Sequence, residues 1–128
     1  MDLKELRNRT IFNEYVRRLK EGDCRRSPRL LIRQIVNNEA PQYYISFERA
    51  ARLLCLYEEN RQHLIKSDTL REQIGELYKK YRMIKDSDVY NVYTKSQILE
   101  TILQTRATSY FVNYKTMINI IFRMLKKK

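Results

Sequence analysis

The side chains best equipped to act on a partner in this chain are its arginines and lysines. Between Arg17 and Arg33 stand seven cations, Arg17, Arg18, Lys20, Arg25, Arg26, Arg29 and Arg33, against Glu21 and Asp23, a local excess of five. A guanidinium can hold a phosphate through two parallel hydrogen bonds. Arg29 and Arg33 are four positions apart, so on a helix they project from the same side. Ser27-Pro28 just before them reads as a helix start, where a partial positive charge and spare N–H groups favour an anion. The matching part of the second half carries Lys79, Lys80, Arg82 and Lys85, and the chain ends in Lys126-Lys127-Lys128. The nucleic-acid-binding candidates are therefore Arg25, Arg26, Arg29, Arg33, Arg17, Arg18, Lys79 and Lys80.

Other chemistries find little material. No glycine-rich phosphate loop, G-x-S-x-G elbow or H-E-x-x-H occurs, and His63 is the only histidine. Asp86 and Asp88 resemble the opening of a calcium loop but lack its glycine and closing glutamate, so they read as helix punctuation. Glu58-Glu59 belongs to a solvated helix face without a second acidic cluster. Cys24 and Cys55 read as free thiols, since one lies in a basic loop and the other in an apolar helical run. The expectation is a protein that is not an enzyme, with no metal, no cofactor and no small-molecule substrate. Of the ten tyrosines, Tyr15, Tyr57, Tyr78 and Tyr81 fall at core spacing. Tyr43-Tyr44 and Tyr110-Phe111 lie in extended stretches, where alternation would send one of each pair inward and the other outward, but burial of both between the helices is the favoured reading.

The elements that must position these residues are helices. Two glycines and two prolines in 128 residues leave almost no material for tight turns, while 43% hydrophobic and 32% charged residues suit a folded chain. Asp2 with Glu5 opens a helix marked by Leu3, Leu6, Ile11, Tyr15, Val16 and Leu19, which Gly22 stops. Ser27-Pro28 opens a shorter one with Leu31, Ile32, Ile35 and Val36 on one face. After Ala40-Pro41, a short extended segment leads to Ser46, which caps a third helix carrying Phe47, Ala50, Ala51, Leu53, Leu54 and Tyr57.

From Ser67 the order begins again. Leu70, Ile74, Leu77, Tyr78, Tyr81 and Ile84 mark a long helix, and Ile98, Leu99, Ile102 and Leu103 a shorter one. Ala107-Thr108-Ser109-Tyr110-Phe111-Val112 stands 67 positions after Ala40-Pro41-Gln42-Tyr43-Tyr44-Ile45, and the flanking apolar positions keep that offset. A fixed period over several elements is the mark of duplication. The fold expected is mainly α: two tandem, pseudo-symmetric helix-loop-helix-short strand-helix units, about 1–62 and 66–126, packed as one compact domain over 1–128. That gives about six helices and two short extended segments, which can pair with each other.

A net charge of +11, with 26 basic against 15 acidic residues, makes nucleic acid the leading partner, DNA ahead of RNA, met by a basic helical surface. The alternative is a protein-interaction or assembly module of a mobile-element or phage-like system, whose basic face meets an acidic protein. No apolar run is long enough to cross a bilayer and the first residues lack a signal peptide's apolar stretch, so no membrane partner and a cytoplasmic location are expected.

Overall fold

A computed structural model describes residues 2–21 and 27–127. Among the described residues the chain is mainly α, in six α-helices: α1 (Leu3–Lys20), α2 (Pro28–Val36), α3 (Phe47–Glu58), α4 (Asp68–Ser87), α5 (Lys95–Leu103) and α6 (Tyr114–Lys126). A 3₁₀ turn, Gln62–Leu64, precedes α4. Every helix starts on a side chain that accepts a first-turn N–H: Asp2, Ser27, Ser46, Ser67, Thr94 and Asn113 in order. At α5 the arrangement is reciprocal, because the Gln97 side chain also accepts the Thr94 N–H at 2.8 Å. The offset of 67 recurs in these starts, from Ser27 to Thr94 and from Ser46 to Asn113.

The helices do not partner in chain order. One compact unit comprises residues Met1–Ala40 and Ala107–Lys128, in which α1, α2 and α6 pack pairwise on one another. Its core is built from Ile11, Phe12 and Tyr15 of α1, Leu31, Ile32 and Ile35 of α2, and Met117, Ile120 and Ile121 of α6. The second unit, Pro41–Arg106, holds α3, α4 and α5. Ala50 and Leu54 of α3, Ile74, Leu77 and Tyr81 of α4, and Ile98, Leu99 and Ile102 of α5 are buried in it. The third helix of each copy thus completes the core begun by the first two helices of the other.

The stretches between the second and third helices are irregular. Among the described residues their only ladder contact is an antiparallel bridge in which Ala40 and Ala107 exchange both N–H···O bonds, at 3.0 and 2.9 Å. The two alanines are 67 positions apart, and each is 1% exposed. Tyr43 and Tyr110 are buried, while Tyr44 and Phe111 are half-buried, so each pair has one ring in the core and the other only partly covered. Phe111 has φ +54°, a conformation that costs a bulky side chain energy, and its N–H is held by the Ser109 hydroxyl at 3.0 Å.

Candidate nucleic-acid interface

The exposed positions of α2 follow from its burial. With Leu31, Ile32 and Ile35 turned inward, Arg29 and Arg33 face solvent one helical turn apart. Neither forms an ion pair with a described residue. The Arg33 guanidinium carbon lies 4.3 Å from the centroid of the Tyr114 ring of α6, a cation–π contact between α2 and α6. The start of α2 offers an anion less than its sequence implies. Pro28 has no N–H and the Ser27 hydroxyl already accepts that of Leu30, leaving chiefly the Arg29 amide.

The other candidates divide. Arg25 and Arg26 lie outside the described residues. Arg17 is bound to Glu14 and, at 2.7 Å, to Glu21, and Arg18 reaches Glu14 at 2.8 Å and Gln34 at 3.5 Å. Hydrogen bonds from Arg17 and Arg18 hold the Glu14 carboxyl below its ordinary range, and the Arg17 guanidinium is raised in turn. Both arginines thus spend much of their charge inside α1. Lys79 is exposed on α4. Lys80 is occupied: its ammonium donates to Thr105 Oγ1 at 3.0 Å and to the Arg106 carbonyl at 2.8 Å, and lies 4.8 Å from the centroid of the Tyr43 ring.

A cluster that the linear sequence does not join lies where α1 begins and α6 ends. Lys4 and Arg9 of α1 meet Arg123 of α6 and Lys127 just beyond it, around a groove of about 570 Å³. Asp2 and Glu5 share its wall. Lys4 and Arg123 stand 119 positions apart in the chain, so only the packing of α1 on α6 reveals the cluster.

Charge is distributed by unit, not by copy. The two sequence copies carry similar net charges, +4 over residues 1–62 and +5 over 66–126. The unit of α1, α2 and α6 holds fifteen basic against six acidic residues, a net +9, and the unit of α3, α4 and α5 eleven against nine, a net +2. The exchanged helices supply part of this contrast, since α3 is charge-balanced and α6 carries +3.

Fold and surface thus define a mainly α chain in two three-helix units, one of them strongly cationic. Comparison with protein-family models, with curated proteins and with solved structures finds no match. Among the described residues no helix is long and apolar enough to cross a membrane, and no three His, Cys, Asp or Glu side chains gather as metal ligands.

Proposed function

We propose that this protein is a non-enzymatic nucleic-acid-binding protein whose contact surface is the unit of α1, α2 and α6. The observation that carries the reading is the +9 concentrated in that unit out of a total of +11. Arg29 and Arg33 on α2 and the Lys4, Arg9, Arg123 and Lys127 cluster supply phosphate ligands on the same unit. Duplex DNA ranks ahead of RNA, because a projecting helix face enters the wide major groove of B-form DNA whereas the major groove of A-form RNA excludes side chains. A cytoplasmic location belongs to the same reading.

The test is binding to a mixed-sequence DNA duplex and to an RNA duplex over a range of salt. The wild type is compared with Arg29→Gln/Arg33→Gln/Arg123→Gln/Lys127→Gln and with the charge-matched Arg49→Gln/Arg52→Gln/Lys66→Gln/Lys79→Gln. The first set should weaken binding and flatten the salt dependence by roughly 0.9 in slope for each phosphate no longer neutralised, and the second should do neither. Equal weakening by both sets would reduce the interaction to bulk charge, and no salt-dependent binding by the wild type would reject it.

A further inference from the structure

We propose that Cys55 and Lys95 are a modification site, at which hydrogen peroxide creates a sulfenamide bond between Sγ and Nζ that thiols reverse. Cys55 is a free thiol, and the Lys95 ammonium donates to its Sγ at 3.4 Å. The same ammonium is ion-paired with the Glu58 carboxylate. The lysine, not the thiol alone, defines the site.

The fold assembles the three side chains within one unit. Cys55 and Glu58 are three positions apart on α3 and so project from the same side of it. Lys95 is the first residue of α5, directly after the Thr94 that caps this helix, and the packing of α3 on α5 closes the forty positions that separate it from Cys55. A cation at a helix start opposes the helix dipole, so the partners that hold Lys95 are those on α3. Cys55 is half-buried, and the side chains of Lys95 and Glu58 are 37% and 36% exposed, which leaves the sulfur open to a small oxidant.

The chemistry runs in two steps. Sulfur attacks peroxide as the thiolate, and the ammonium that donates to Sγ faces the charge this form carries. The O–O bond breaks, one oxygen stays on sulfur as a sulfenic acid, and the other leaves with the thiol proton as water; sulfur gives up the two electrons that the peroxide gains. Lys95 then passes one proton to Glu58, and its nitrogen lone pair attacks Sγ. The S–O bond breaks, and the hydroxyl leaves with a second nitrogen proton as water. One thiol, one ammonium and one peroxide thus become one S–N bond, two waters and one proton. A nitrogen already held against the sulfur makes this step intramolecular. The bond joins α3 to α5 across those forty positions, a constraint of the kind that stabilises by restricting the unfolded chain.

Mass spectrometry of the full chain carrying Cys24→Ser, which leaves Cys55 as its one thiol, tests this before and after hydrogen peroxide. The oxidised chain should be lighter by two hydrogens, yield a proteolytic species that joins the peptides of Cys55 and Lys95, and return to its starting mass with dithiothreitol. Adding Lys95→Arg, which keeps the cation but removes the amine, should stop the reaction at a sulfenic acid that dimedone traps. A sulfenic or sulfinic acid without the cross-link in the Cys24→Ser chain, a link from Cys55 to another lysine, or an unreactive thiol would overturn the proposal. So would an equal yield of the link when the chain is oxidised unfolded in guanidinium chloride, since the site rests on the fold. The outcome is independent of the duplex-binding test, in which neither Cys55 nor Lys95 is changed.

Discussion

Lys80 and Arg33 are both cations on helices, and their surroundings give them different work. Lys80 is held by two oxygens and a ring, so Lys80→Met should cost about 1 kcal/mol in urea unfolding and leave the salt dependence of binding unchanged. Arg29→Gln should do the reverse. Burial, with the hydroxyl donated to Glu76 at 2.5 Å and the carboxylate charge beside it, pushes the Tyr43 phenol above its ordinary range. A raised phenol favours the protonated folded state, so its contribution is complete below about pH 10 and is lost as the pH climbs beyond it. Stability should therefore fall from about pH 10 upward, and Tyr43→Phe should flatten that fall. Gly75 has a packing role: a methyl group there would stand 3.0 Å from the Tyr57 hydroxyl, which donates to the Arg71 carbonyl at 2.6 Å. Gly75→Ala should gain nothing in the wild type and about 1 kcal/mol in a Tyr57→Phe background, a difference that a double-mutant cycle measures.

At the scale of the element, helix starts are legible because they rest on local chemistry. Ser27-Pro28, Ser46 and Ser67 announce themselves within one turn, and Thr94→Ala, which removes one arm of a reciprocal cap, should cost about 1 kcal/mol in thermal or urea unfolding. The apolar faces of α2 and α5 are equally plain, with Leu31, Ile32 and Ile35 matched by Ile98, Leu99 and Ile102. The loop after α4 is not. Val89, Tyr90, Val92 and Tyr93 follow no helical or strand period that would mark which side they face, and in the fold all four are exposed, the Asp88 carboxylate accepting the N–H groups of Val92 and Tyr93. The α1–α6 groove stays hidden for a different reason: periodicity says which face of a helix is buried, but not against which other helix.

The partnering of helices governs the whole molecule. Because α6 completes α1 and α2 while α3 completes α4 and α5, a cut at 65/66 separates each core from one of its three helices. Fragments 1–65 and 66–128 should each show weak helical circular dichroism alone and regain it when mixed; two stably folded fragments would contradict the partnering. The same exchange gathers charge that the two copies share almost evenly in sequence, so a net charge visible at once becomes a located surface only in three dimensions. The measurement that tests this most directly is a titration of the isotope-labelled full chain with a DNA duplex, followed by backbone amide shifts. If the +9 unit is the contact surface, shifts will concentrate in α1, α2 and α6, Arg29, Arg33 and Arg123 among them, with near silence in α3, α4 and α5. Shifts spread evenly over both units, or confined to α3, α4 and α5, would contradict it.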